Sequence, residues 1–257
     1  MISILQAIIL GIIQGITEWL PISSSGHLVI AGQLFNLNED LSLTILLHLA
    51  SLIVIIYIFR DYIKLILTKQ RRTLIWIVVA TIFTALIGLS FKNQIEQAFT
   101  SLLAVSIGLL FTAFLLFLVK YTEKRIEKRK NEQTTSFFDA ILIGIFQGIA
   151  ILPGVSRSGA TISASLIRGL NRETAAKLSF MLFIPAILGA TILQFDKFTI
   201  TQEVFLPYVL AVVATILTSY ITIKLLLRLI LNKKFYVFGY YCLVLGIIVL
   251  IYSLLQN

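Results

Sequence analysis

Charge is what this sequence has least of. Only 13% of its 257 residues are Asp, Glu, Lys or Arg, about half the share found in soluble domains, and none of residues 1–17 is charged. Cysteine is nearly absent. Cys242 stands alone in an apolar run near the end, which excludes an intramolecular disulfide and a cysteine-based metal site and leaves a small buried hydrophobe as its expected role. The first Lys or Arg is Arg60, so the amino-terminal run lacks the positive flank of a cleavable signal peptide, and its helix is expected to persist in the mature protein. What is present instead is apolar surface: 58% hydrophobic residues and a mean hydropathy of +0.98. These values exclude an ordinary soluble domain and predict an integral membrane protein. The net charge of +9 is no sign of nucleic acid binding, because Lys and Arg fall in short bursts between apolar runs, as cytoplasmic loops of membrane proteins do.

The apolar runs predict an all-α polytopic fold. Residues 1–17 give roughly 25 Å of helix, slightly short of a ~30 Å hydrocarbon core, and Pro21 with the Ser23-Ser24-Ser25-Gly26 run is expected to break it. A short apolar piece, 28–35, follows. Two short pieces hinged at a polar loop read as a re-entrant helical hairpin, tolerable only where protein buries the loop. Full-length spans are expected over 41–59, 73–91 and 98–119. A basic segment from Lys120 to Lys130, carrying Glu123 and Glu127, reads as a solvated helical linker, with a lipid-headgroup patch as the weaker reading. The pattern then recurs: a short run over 137–152 broken at Pro153-Gly154, a short continuation over 160–167, and three spans over 178–195, 204–223 and 235–255.

The recurrence is a repeat in register. Gly11 and Gly144, Gln14 and Gln147, Gly15 and Gly148, Ser23 and Ser156, Ser25 and Ser158, and Gly26 and Gly159 all differ by 133, a constancy that chance would rarely preserve. The chain is thus expected to be one membrane domain, 1–257, with a first repeat over 1–120, the linker over 121–136 and a second repeat over 137–257. Each repeat holds one hairpin, which does not change sides, and three crossings, which do, so the second is inverted. Six crossings put segments 60–72, 120–136, 168–172 and 228–234 on one side, with sixteen Lys or Arg; the other side has only Lys92 and Lys197. By the positive-inside rule the sixteen are cytoplasmic, and both termini face outward. Hairpins entering from opposite faces would bring their polar tips together in one composite site, as inverted-repeat membrane proteins do.

That site would collect Glu18, Ser23, Ser24, Ser25 and His27 from the first tip, and Ser156, Arg157, Ser158 and Thr161 from the second. An Arg at mid-membrane costs about 2.5–3.5 kcal/mol on insertion scales, so Arg157 needs a partner or a ligand. Glu18 alone would satisfy it as a structural ion pair. Gly-containing turns opening into helices, however, expose backbone N–H groups at positive helix ends, and guanidinium grips phosphate oxygens bidentately. A phosphate-bearing ligand in the membrane fits all of these groups. Ser24 or His27 would attack phosphorus, with Glu18 handling a proton or a metal and Arg157 stabilising the equatorial oxygens. Gln14 lies one turn before Glu18 on the same face. One amide and one carboxylate make a poor cage, so a divalent cation, Mg²⁺ or Ca²⁺, would bind at Glu18 only if shared with substrate phosphates.

The segments QGITEWLPISSSGH (residues 14–27) and PGVSRSGAT (residues 153–161) resemble the two signature motifs of the undecaprenyl-diphosphate phosphatases of the bacitracin-resistance type, and the resemblance covers nearly the whole chain. It implies a membrane enzyme that removes the terminal phosphate of undecaprenyl diphosphate and so recycles the lipid carrier for peptidoglycan and other cell-wall polymers. It implies further that Glu18, His27 and Arg157 are catalytic, that Ser24 is the proposed nucleophile, and that Ser23, Ser25, Ser156, Ser158 and Thr161 line the phosphate pocket together with Gln14. Where the family motif often begins with Glu this chain has Gln14, which cannot act as a base. The expected partners are the polyprenyl diphosphate and membrane lipids, with no nucleic acid and with a homodimer left open. The expected location is the bacterial cell membrane, with the site open outward. Ser24 as nucleophile, with His27 as acid or base, is the preferred assignment, and His27 as nucleophile the alternative.

A secondary transporter or lipid flippase on the same inverted-repeat architecture is the rival reading, since fold alone does not fix function. A hydrolase needs a nucleophile, a proton donor and charge stabilisation together, and Ser24, His27 and Arg157 supply that set. Outside the motifs, His48 is expected to pack rather than carry protons, Trp19 and Trp76 to serve core or interface, and Pro185 to kink its span.

Overall fold

A computed structural model of the protein describes residues 2–37, 40–122, 135–231 and 234–256. Among these residues the fold is all helical. The first half comprises α1 (Ile4–Thr17), α2 (Ser24–Leu34), α3 (Leu41–Ile58), α4 (Arg60–Thr68), α5 (Arg71–Ser90), α6 (Lys92–Phe99) and α7 (Leu102–Thr122). The second comprises α8 (Phe137–Ile149), α9 (Arg157–Ile167), α10 (Arg172–Leu193), α11 (Gln202–Leu231) and α12 (Val237–Gln256). Helices α3, α5, α7, α10, α11 and α12 are long and apolar enough to cross a membrane, the six that the hydropathy pattern predicts. Most of the expected linker, residues 123–134, lies outside the described residues.

Three boundaries differ from expectation. The Ser24-Ser25-Gly26 segment does not break the first hairpin; it begins α2, because the Ser23 hydroxyl accepts the Gly26 N–H and caps the helix. The break is confined to residues 18–23. Two short helices, α4 and α6, follow α3 and α5 with polar and apolar residues interleaved at helical spacing, so the third span starts at Leu102 rather than at 98. Helix α10 starts at Arg172, capped by Asn171, and continues through Pro185 without interruption.

The two halves are built alike in detail. Ser3 and Gln6 form a capping box on α1, and Ser136 and Asp139, each 133 residues later, form one on α8. Beyond the hairpins the offset becomes 131: α3 and α10 start at residues 41 and 172, and α5 and α11 at 71 and 202. The turn after the second hairpin is two residues shorter. Partners are exchanged between halves, with α1 lying along α11 and α8 along α5, while α7 packs on α12 and α3 on α10.

The exchanged contacts depend on missing side chains. A Cβ at Gly11 would collide with the backbone of Ala211, and one at Gly144 with the backbone of Ala80. This close approach lets the Thr215 hydroxyl donate to Gly11 O at 3.0 Å and the Thr84 hydroxyl donate to Gly144 O at 3.0 Å, interhelical bonds of the kind small residues permit in membranes. Gly11→Leu or Gly144→Leu is therefore expected to destabilise the protein by about 3 kcal/mol through overpacking. Thermal melting in detergent checks this, with Gly189→Ala, whose Cβ meets nothing within 4 Å, expected to leave the midpoint unchanged.

Candidate active site

The hairpin tips meet. Ser158 at the start of α9 donates to Leu20 O at 3.2 Å, and Gly26 is so close to Gly154 that a Cβ would stand 3.1 Å from its Cα. Gly154 has φ +87°, a conformation open to glycine without cost, and it packs against the Val105 backbone of α7. On the other side the Cys242 thiol of α12 lies against Pro21 O, buried as expected of a small hydrophobe. Two broken helices are thus clamped tip to tip between α7 and α12.

The centre of the contact is Glu18, the C-cap residue of α1, 6% exposed. Its Oε1 accepts from Arg157 Nη2 at 2.7 Å. Its Oε2 accepts from the Ser24 hydroxyl at 2.6 Å and from Gln14 Nε2 at 3.0 Å, and His48 Nε2 stands 3.5 Å away. Arg157, first residue of α9, also donates to Ser179 O at 3.3 Å, and its guanidinium lies 4.3 Å from the Phe183 ring centroid and 5.9 Å from that of Trp19. Trp19, fully buried, meets Phe180 and Phe183 edge-on. The charge pair thus sits among aromatic faces, where water competes little with its electrostatics.

Ser24 opens α2 on a strained residue. Ser23 has φ 70° and ψ 98°, in a region that costs a non-glycine residue of order 1–3 kcal/mol. Its counterpart Ser156 is relaxed at φ −74°. This asymmetry separates the half that bears Ser24 from the half that bears Arg157. His27, one turn into α2, donates from Nδ1 to Ser23 O at 2.7 Å, and its Nε2 is 2.7 Å from the Tyr241 hydroxyl of α12. Both ring nitrogens are engaged away from Ser24, so the group that touches the Ser24 hydroxyl is Glu18. His27, expected as acid or base, thus stands beside the Ser24 turn without contacting its hydroxyl.

The remaining serines and Thr161 are placed as fasteners. Ser156 caps α9 by accepting from Gly159 N, and Ser25 and Ser158 stand 3.2 Å from Ser23 and Ser156 respectively. Thr161 donates to Arg157 O at 2.8 Å and meets Ser179 at 2.7 Å. Ser23, Ser156, Ser158 and Thr161 are buried, whereas Ser24, Ser25, His27 and Arg157 are half-buried. His48 and Ser179 were not expected at the site, yet they stand 131 residues apart, the offset relating α3 to α10. Each touches the charged residue of the hairpin beside it. Carrying the repeat into the spans with that corrected offset would have flagged both, whereas nothing in the sequence points to Tyr241.

Glu18 has little capacity left for a metal. Its two oxygens already accept from three donors, and no group of three His, Cys, Asp or Glu suited to a metal occurs among the described residues. The buried Gln14 Oε1 is without a partner, but one amide oxygen falls far short of the six or more that Ca²⁺ takes. These donors do not make a resident metal site.

Residues 7–248 match the family described as bacitracin resistance protein BacA. The chain belongs to the BacA family. It is 44% identical over 254 residues to a protein named undecaprenyl-diphosphatase from Carboxydothermus hydrogenoformans, covering 96% of each chain. A protein of the same name from Alkaliphilus metalliredigens is 39% identical, over 97% of this chain and 98% of its own. One from Methanosphaera stadtmanae is 38% identical, over 98% and 99%. The match takes in most of α1, five of the six candidate spans whole and α12 as far as residue 248.

Proposed function

We infer that this protein hydrolyses undecaprenyl diphosphate to undecaprenyl phosphate and inorganic phosphate, returning the lipid carrier to cell-wall synthesis. Its near full-length likeness to proteins named for that reaction supports the substrate. The observation that carries the mechanism is the Ser24 hydroxyl held 2.6 Å from a buried carboxylate that is itself paired with Arg157, a nucleophile and base in contact.

Glu18 takes the Ser24 proton as Oγ attacks the terminal phosphorus. The Oγ–P bond forms, the bond from phosphorus to the bridging oxygen breaks, and the lipid phosphate leaves with the bonding electrons. Arg157, freed from one of its contacts, holds the equatorial oxygens where charge gathers. The departing group is a phosphate with a second pKa of about 6, so it needs little help from an acid. Water then attacks the phosphoserine, giving up its proton to His27 Nε2, and inorganic phosphate departs as Ser24 regains the hydrogen that Glu18 held. A divalent cation would be held chiefly by the substrate's own phosphates, with Glu18 as its protein ligand, and would supply charge neutralisation there.

The test is phosphate release by the purified protein from a polyprenyl diphosphate in detergent, with chelator and with added Mg²⁺ or Ca²⁺. Release is expected. None under any of these conditions from folded protein would overturn the hydrolase and favour transport.

The charge distribution supports a plasma-membrane orientation with both termini outward and the two hairpins entering from opposite faces. In a Cys242→Ser background, Lys92→Cys is expected to react with an impermeant maleimide on intact cells and Lys234→Cys only after permeabilisation. Both residues are exposed, so the reverse pattern would invert the topology.

A further inference from the structure

We propose that Tyr241 is a positioning residue that fixes the tautomer and direction of His27, an assignment that rests on the phosphatase reading above. His27 Nδ1 is 2.7 Å from Ser23 O. A carbonyl oxygen only accepts, so Nδ1 carries a hydrogen. In the neutral ring Nε2 is then a bare lone pair, and the group that meets it at 2.7 Å is the Tyr241 hydroxyl, which donates. The two rings are nearly parallel, at 7°, with centroids 5.7 Å apart. One contact fixes the hydrogen and the other fixes the plane.

The arrangement has a chemical consequence. Nε2 is the nitrogen that takes a proton from the attacking water once the Tyr241 hydroxyl gives way, and it serves only in the tautomer that leaves it unprotonated. Ser23 supplies half of that constraint from within α2. Because Ser23 is the strained cap of the helix that carries Ser24, any slack in the imidazole would be shared with the nucleophile's own turn. Tyr241 supplies the other half from α12, 214 residues away. It is 46% exposed on α12, so its hydroxyl can give way to water or phosphate without disturbing packed neighbours. The adjacent Cys242 is buried against Pro21 and pins the helix there. Tyr241 itself acts only through His27 Nε2.

Tyr241→Phe keeps the stacked ring and removes the hydroxyl. The chain has two histidines, so nitrogen NMR of ¹⁵N-histidine-labelled protein gives two ring systems, assigned by removing His48 in His48→Gln. In wild type, His27 is expected as the Nδ1–H tautomer with a hydrogen-bonded Nε2. In Tyr241→Phe the His27 Nε2 resonance is expected to move to that of a free imidazole nitrogen, or the ring to populate both tautomers, while His48 stays put. The kcat for phosphate release is expected to fall about 10-fold, the worth of one hydrogen bond, with KM within about twofold. Tyr240→Phe, whose ring packs on Phe117, controls for loss of a neighbouring hydroxyl and is expected to match wild type in both readouts. An unmoved Nε2 resonance, or a wild-type kcat with a moved one, would overturn the proposal. Wild-type protein with the expected spectrum but no phosphatase activity would sink the hydrolase reading instead and leave the tautomer lock standing.

Discussion

Arg157→Ala is expected to lower kcat for phosphate release by about 10³-fold to 10⁵-fold, the range spanned by arginines that stabilise phosphoryl-transfer transition states. The same substitution should also weaken the fold. It strands Glu18 at 6% exposure without its cation, and breaking a buried pair from one side costs about 3–5 kcal/mol. The two effects separate in the double variant Glu18→Gln with Arg157→Ala, in which no charge is left uncompensated. Its melting temperature should recover much of the loss while its activity stays absent. Arg157→Lys is not expected to rescue turnover. A lysine cannot reach Glu18 Oε1 and Ser179 O together as the planar fork does, nor lie flat against the Phe183 ring. Activity within tenfold of wild type in Arg157→Ala would remove it from the reaction and leave only the structural ion pair.

Ser24→Ala is expected to abolish turnover, by on the order of 10⁴-fold or more, as removal of a nucleophile does elsewhere. Rate alone does not identify the nucleophile, so the decisive measurement is the bond formed. With substrate labelled at the terminal phosphate and the reaction stopped in acid, wild type should retain label as acid-stable phosphoserine, and Ser24→Ala should retain none. Label lost on acid treatment but kept in alkali, and persisting in Ser24→Ala, would mark His27 as the attacking group. The geometry favours the first outcome because the Ser24 hydroxyl already rests on the Glu18 carboxylate.

The positive-inside argument and the phosphatase chemistry rest on different residues, and they meet at the hairpin tips. Glu18 and Arg157 lie 139 residues apart in the chain. Neither has a counter-charge in its own hairpin: within its own half Glu18 meets the His48 ring at 3.5 Å, and its hydrogen-bonded ion pair comes from the other half. Joining the halves pairs the two charges directly. The Gly11 and Gly144 contacts on Ala211 and Ala80 set how closely the halves can approach, which links a packing requirement away from the hairpin tips to the distance between Glu18 and Arg157.

Hydropathy by itself determined the six spans, because a helix that crosses lipid must be apolar over nearly its whole length and no local interaction overrides that. The repeat was legible because identical residues at a constant offset need no structural knowledge to recognise, and the two motifs disclosed Glu18, Ser24, His27 and Arg157. The helix caps escaped the sequence: Ser24 and Ser25 read as breakers, whereas the Ser23 hydroxyl turns them into the first turn of α2. Only the tertiary structure decided which groups touch. His48 and Ser179 enter the site from spans whose sequence looks like packing, because a side chain's neighbours across a helix interface depend on rotation and register set by other helices. Tyr241 is the extreme case, a residue 214 positions from His27 that is indistinguishable by sequence from the other tyrosines of α12. Its role follows from one distance and one ring angle, which exist only after α12 has packed against the first hairpin.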